Sequence, residues 1–239
     1  MAYTYHDATI IRIQNENDSV RRFTFKMPDS VDFRFKAGQF VMLDLPIAAK
    51  FTNRSYSIAS PPSEDNTFEL CIVLKPDGLG TPYLWNHVKE GDVIKCSDAL
   101  GKFVLPENID MELCFICTGT GIAPFRSMLL DIFNKNIPHK ELYMIFGNRW
   151  IKDILYEKEM RELEVLHPEF HFIPVLSRET AETWNGETGY VHHVYDKLFA
   201  DNRKAYFYLC GWSAMVKEAR DRLKERGYQR TELKFELFD

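Results

Sequence analysis

The chain has 239 residues, a length that favours two domains of about 110 to 130 residues over one. Its 45% hydrophobic and 14% aromatic content, with only 12 glycines and 11 prolines, excludes a disordered or fibrous chain. A formal net charge of −5 argues against a nucleic-acid binder relying on an overall basic field, and no run of about 18 apolar residues suits a membrane span.

From residue 8 to about 105 the sequence reads as short alternating or β-branched runs, at 9–13, 20–25, 39–45, 55–59, 68–74 and 93–97. Turn residues such as Pro28-Asp29, Ala37-Gly38 and Pro76-Asp77-Gly78 break them, and one short helix is predicted near 81–87. The pattern predicts an antiparallel β-barrel or sandwich. Between Arg21 and Arg54, seven basic residues meet three aspartates, a net +4. That segment suits either a solvated strand surface or the docking of an acidic partner.

After Leu105-Pro106 the texture changes to apolar strands at 112–117, 141–147, 170–176 and 205–210. They alternate with amphipathic helices at 124–134, 156–167, 191–199 and 213–226, the signature of an α/β parallel sheet wrapped by helices. The expected division is 1–108 and 109–239.

The five cysteines are odd in number and scattered, which fits a reducing compartment better than a disulfide framework. Cys114 and Cys117 lie within an apolar run and read as buried strand residues. The first residues carry no basic region followed by an apolar stretch, so a cytoplasmic protein is expected. His192 and His193 diverge on a helix and Pro168 separates His167 from His171, so no metal site is expected.

Two segments carry chemistry. Gly119-Thr120-Gly121-Ile122-Ala123-Pro124 joins a buried strand to a helix, where open backbone N–H groups and the helix dipole meet a pyrophosphate; Pro124 suits the first helical turn. A plain strand-to-helix turn is the alternative. Arg54-Ser55-Tyr56-Ser57-Ile58 places a cation and a flat aromatic on one side of a strand, as a nucleotide-like cofactor needs, or as a snorkelling surface pair.

These two motifs, followed by Cys210-Gly211, resemble in order and spacing the ferredoxin–NADP reductase family of flavoproteins. Ala37-Gly38-Gln39-Phe40, Gly78-Leu79-Gly80-Thr81, Gly101-Lys102-Phe103, Phe146-Gly147-Asn148-Arg149 and Val175-Leu176-Ser177-Arg178-Glu179 add to the likeness. The resemblance covers nearly the whole chain. It implies an N-terminal FAD-binding β-barrel and a C-terminal Rossmann-like NADP-binding domain. Tyr56 would stack on the isoalloxazine, Ser57 bond near its N5 and Arg54 meet the FAD pyrophosphate, within the motif 54–58. Gly78, Gly80 and Thr81 would cap the flavin phosphates. Gly119, Thr120, Gly121 and Pro124 would hold the nicotinamide dinucleotide, with Asn148 and Arg149 also in the cofactor set.

By the same resemblance Cys210 and Gly211 would lie beside the nicotinamide, although Cys210 alone also reads as a small buried hydrophobe. Ser177 and Arg178 match the 2′-phosphate site, which favours NADPH. Tyr190 would stack on the adenine, but Thr188 stands where a Lys is expected, so NADH is possible. The C-terminal Phe235-Glu236-Leu237-Phe238-Asp239 is similar to the family's aromatic tail. Phe238 would cover the second face of the flavin and Glu236 would join Ser57 and Cys210 near the reacting atoms.

The implied reaction is hydride transfer between nicotinamide C4 and flavin N5, coupled to one-electron exchange with a small acidic carrier, ferredoxin or flavodoxin, by a monomer. Two alternatives are the reductase component of an oxygenase, or a free flavin reductase, and a flavin-binding electron-transfer or regulatory subunit of a larger complex.

Overall fold

The computed structural model describes residues 3–48, 50 and 52–238. Asp239, the last residue of the tail, lies outside them. The chain divides into two compact units. One comprises 1–105 with 123–137, the other 106–122 with 138–239.

The first unit is built on six antiparallel strands: β1 (Tyr5–Asn15), β2 (Val20–Lys26), β3 (Phe40–Asp44), β4 (Asn53–Ser57), β5 (Thr67–Val73) and β6 (Val93–Ser97), with α1 (Gly80–Asn86) between the last two. They pair in the order β4-β3-β6-β1-β2-β5. A bridge from Ile58 to Leu70 and the bond from Ala59 N–H to the Glu69 carbonyl at 2.8 Å join the two end strands and close the barrel. Alternation explains the interior: Phe23 and Phe25 of β2 are fully buried while Arg22 and Thr24, on the alternate positions, are not. Phe25 stacks on Phe68 at 5.2 Å, its register partner on β5. The helix α2 (Ile122–Asn134) belongs to this unit from Ala123 onward, with Phe125 against Phe103 at 5.8 Å.

The second unit is a parallel sheet of β7 (Glu112–Thr118), β8 (Leu142–Asn148), β9 (Phe170–Leu176), β10 (Glu187–Thr188), β11 (Ala205–Trp212) and β12 (Leu233–Phe238). Their order is β10-β9-β8-β7-β11-β12. Leu113–Cys117 and Leu142–Phe146 are continuously buried, as strands covered on both faces must be. The helices are α3 (Glu157–Leu166), α4 (Val191–Leu198) and α5 (Ser213–Glu225). Side chains of α4 and α5 pack with Ile116, Ile145, Val175 and Leu209 on one face of the sheet. The chain runs outward from β7 through β10 and returns to the other side of β7 as β11. The strand order therefore reverses between β7 and β11, at whose carboxyl ends open sheets of this kind bind ligands.

Candidate functional site

In the barrel, β4 presents Arg54 and Tyr56 half-buried and Ser55 exposed, and ends on buried Ser57. β3 holds it through the pairs Val41↔Tyr56 and Phe40↔Ser57. Tyr56 packs against the barrel core, and burial pushes its phenol up to about 12, with the Arg54 cation opposing. The ring is therefore neutral at physiological pH.

Arg54 donates to the Asn53 carbonyl at 2.9 Å, and its stem crosses the first residue of α1. A Cβ on Gly80 would stand 3.2 Å from Arg54 Cγ and 3.3 Å from Leu45 Cδ1, so a glycine leaves room for the crossing. α1 starts without a side-chain cap or an acidic residue in its first turn. An arginine and helix-start N–H groups thus stand together, a donor set suited to a diphosphate. The Thr81 hydroxyl is engaged locally, accepting from Lys75 N–H at 2.8 Å and donating to the Lys75 carbonyl at 3.3 Å. Gly78 N–H bonds that same carbonyl at 2.9 Å, so both residues shape the 75–81 turn. The Ile58 side chain is wholly inside the barrel core, which leaves only its backbone for a ligand.

In the second unit the candidates gather at the carboxyl ends of the strands. Gly119, Thr120 and Gly121 form a 3-10 turn between β7 and α2, and Pro124 sits in the first turn of that helix. At the sheet's reversal point, β7 and β11 approach so closely that side chains do not fit. A Cβ on Gly121 would meet the Cys210 carbonyl at 2.5 Å, and one on Gly211, whose φ is +126°, would meet Thr118 Oγ1 at 2.4 Å. Thr118 Oγ1 in turn accepts from Trp212 N–H at 2.9 Å.

Cys210 pairs in register with Cys117 on one side and Glu236 on the other. It is fully buried, and burial, reinforced by Glu236 and Cys117, holds its thiol well above the usual range. The thiol is therefore protonated, an apolar wall with a weak donor. Phe238 and Glu236, on the sheet's edge strand, are half-buried.

On the opposite half of the sheet, at the carboxyl ends of β8 and β9, Asn148-Arg149 and Ser177-Arg178 run side by side. Ser177 N–H bonds the Asn148 carbonyl and Arg178 N–H the Arg149 carbonyl, each at 3.0 Å, and Ser177 Oγ donates to the Asn148 carbonyl at 3.2 Å. Arg149, Ser177 and Arg178 are exposed. Tyr190, 71% exposed, follows β10 at the start of α4, where Gly189 N–H bonds the Leu176 carbonyl.

Sequence reasoning missed four residues. Trp150 lies 6.0 Å under the Arg178 guanidinium, next to the motif that was read only as far as Arg149. Trp212 directly follows Cys210-Gly211. Arg126, buried on α2, donates to the Ala59 carbonyl at 2.8 Å and pairs with Glu69 at 3.3 Å, while Ser127 Oγ donates to the Ser60 carbonyl at 2.6 Å. Both grip the segment that follows Tyr56 and Ser57. Charged and small polar residues on a helix give no signal of that partner in the sequence.

Two family models match, an oxidoreductase FAD-binding domain over residues 7–105 and an oxidoreductase NAD-binding domain over 115–221. Ferredoxin–NADP reductase B of Sorangium cellulosum is 29% identical over 240 residues, with 98% of this chain and 97% of that protein covered. A ferredoxin NADP+ reductase from Neisseria gonorrhoeae, solved with bound FAD and NADP, superposes with a TM-score of 0.82 at 26% identity, covering 99% of each chain. The chain belongs to the ferredoxin–NADP reductase family.

This reductase is an FAD-dependent NAD(P)H oxidoreductase. It is also 30% identical to the phenol hydroxylase P5 protein of Acinetobacter pittii over 90% of its own length, but spans only 60% of that protein. The reductase subunit of glycine betaine monooxygenase from Chromohalobacter salexigens is 27% identical over 98% of this chain and 64% of that protein. Among its described residues no helix is long and apolar enough to cross a membrane. The barrel site fits FAD: a neutral flat ring at Tyr56 and an Arg54 laid across Gly80 supply a surface for a flavin and a cation for its diphosphate.

Proposed function

We propose that the chain carries hydride from NADPH to FAD and single electrons onward to a small acidic carrier protein of the ferredoxin or flavodoxin type. The observation that supports NADPH is the exposed pairing of Asn148-Arg149 with Ser177-Arg178. Two guanidiniums and a hydroxyl at one sheet end suit the 2′-phosphate that NADH lacks.

Bound FAD supplies a hydride acceptor that releases its electrons singly. Tyr56 offers the ring face on which the flavin rests, and Ser57 a hydroxyl for the flavin edge. Arg54 and the backbone of Gly78, Gly80 and Thr81 take the diphosphate. Gly119, Thr120 and Gly121, with Pro124 in the helical turn that follows, would cradle the nucleotide pyrophosphate, Arg178 and Ser177 would bind the 2′-phosphate, and Tyr190 would stack on the adenine. Cys210, protonated and apolar, and Gly211 border the nicotinamide. On the edge strand of the parallel sheet Phe238 would offer an aromatic face to a flat ring, and Glu236 would stand beside Cys210. The two functional parts are 1–108 and 109–239.

The carrier reading rests on the net +4 between Arg21 and Arg54. Arg22, Lys26 and Arg34 each meet a local carboxylate, at 2.9 Å from Glu16, 3.3 Å from Asp29 and 2.6 Å from Asp32, which reduces the field available to a partner. Turnover with an acidic carrier is expected to slow as salt rises; salt-insensitive turnover removes the segment from docking.

A second reading, the reductase of an oxygenase using NADH, is favoured by the likeness to the phenol hydroxylase protein and by Thr188 beside the exposed arginines. An anaerobic visible spectrum followed by separate titrations with NADPH and NADH separates them. Flavin bands bleached preferentially by NADPH support the first reading, and bands bleached better by NADH support the second. Purified protein that neither holds nor takes up flavin overturns both.

A further inference from the structure

The second unit exposes three Trp and Tyr side chains among its described residues, Trp150, Tyr190 and Trp212, and all three stand at the carboxyl ends of its strands. Trp150 and Tyr190 lie toward the β8–β10 side, with Arg149, Ser177 and Arg178. Trp212 lies apart from them, at the point where the strand order reverses.

Its setting is unlike that of an ordinary surface residue. The backbone is pinned: Gly211 before it has no space for a side chain against Thr118, and Trp212 N–H is bonded to Thr118 Oγ1 at 2.9 Å. The side chain is nevertheless 65% exposed. A large rigid aromatic on a fixed backbone costs little conformational entropy when a flat ligand packs on it. Its neighbours in register and sequence are Phe238, Cys210 and Gly211, whereas Arg149 and Arg178 stand two and three strands away.

We propose that Trp212 is a binding residue for the nicotinamide-nucleotide half of the dinucleotide, its indole packing against that half while the β8–β10 end takes the adenylate half. This rests on the reading of the second unit as the NAD(P)H site. It adds a specific anchor that sets how firmly the reacting half is held, separately from the phosphate contacts.

The test is calorimetric titration of the flavin-loaded protein with two probes, NADP+ and 2′,5′-ADP, which lacks the nicotinamide half. If the wild type binds NAD+ instead, the pair is NAD+ and ADP. Trp212→Ala is expected to weaken dinucleotide binding about tenfold, or ~1.4 kcal/mol, and to leave the fragment unchanged. Trp212→Phe, which keeps an aromatic face, recovers most of the loss. Dinucleotide affinity that is unchanged or tighter in Trp212→Ala overturns the proposal, as does an equal loss for the fragment. A wild type that binds neither dinucleotide overturns the site reading itself, and this assignment with it.

Discussion

Arg126 of α2 donates to the carbonyl of Ala59 at 2.8 Å, three residues beyond Tyr56 in the barrel. The same guanidinium meets Glu69 at 3.3 Å, and the Glu69 N–H donates to Ser60 Oγ at 3.0 Å. One helix residue thus fixes the exit of β4, and with it the strand end that carries Tyr56 and Ser57. Replacing Arg126 by Met removes the donor of the Ala59 carbonyl and one of the cations facing a largely buried carboxylate, which keeps Arg22 at 3.9 Å. A loss of about 3 kcal/mol in unfolding free energy is expected from denaturant titration. A loss below about 1 kcal/mol would show the contact to be incidental.

Tyr56 contributes a neutral ring, because burial keeps its phenol un-ionised up to about pH 12. Tyr56→Phe is therefore expected to retain FAD near the wild-type level, whereas Tyr56→Ala loses flavin on gel filtration with the far-UV spectrum intact. Full, stoichiometric FAD in the Ala variant would remove the stacking role.

Arg178 and Ser177 sit exposed on a shared backbone pairing with Asn148 and Arg149. Arg178→Ala is expected to raise the NADPH Michaelis constant by roughly tenfold or more, from a charge-assisted contact of about 1.5–3 kcal/mol, with little change for NADH. Equal effects on the two nucleotides would assign Arg178 elsewhere.

Gly211→Ala forces a Cβ to 2.4 Å from Thr118 Oγ1 at a φ of +126°. The strained backbone alone costs on the order of 1–3 kcal/mol, and the clash adds to it. Both thermal stability and dinucleotide affinity are expected to fall together. A variant with wild-type stability would mean that β7 and β11 part easily at their ends.

His192 is buried on α4, and desolvation lowers its pKa from the ordinary 6.5, with Glu218 opposing and Arg222 assisting. The folded state therefore takes up a proton at lower pH than the unfolded chain does. Stability from this group is complete above about pH 6.5 and is lost as pH falls below it. Denaturant midpoints at pH 8 and pH 5.5 are expected to differ more for wild type than for His192→Gln. Parallel pH dependence in the two proteins would exclude His192 as the source.

Both classes of fold were legible in the sequence. Alternation at 20–25 and 68–74 identified barrel strands because a half-buried strand shows its inner face every second residue. The turn at 119–121 and the strand carrying Arg54–Ser57 stand out in the sequence because tight turns and alternating strands restrict residue type at neighbouring positions. The two-residue strand β10 escaped notice because Glu187-Thr188 carries no period, and it exists only through pairing with Val175 and Leu176.

What only the tertiary structure decided are relations between residues far apart in the chain. The sequence by itself determined the two classes of fold, the order of the motifs and the chemistry of the turn and strand residues, since these depend on local periodicity and backbone sterics. It did not determine that α2 groups with the barrel, that Arg126 grips Ala59, 67 positions away, or that Cys210 pairs in register with Cys117 and Glu236. Those outcomes depend on which apolar faces bury one another and which polar groups must then be satisfied, and a single chain of letters carries no direct mark of either.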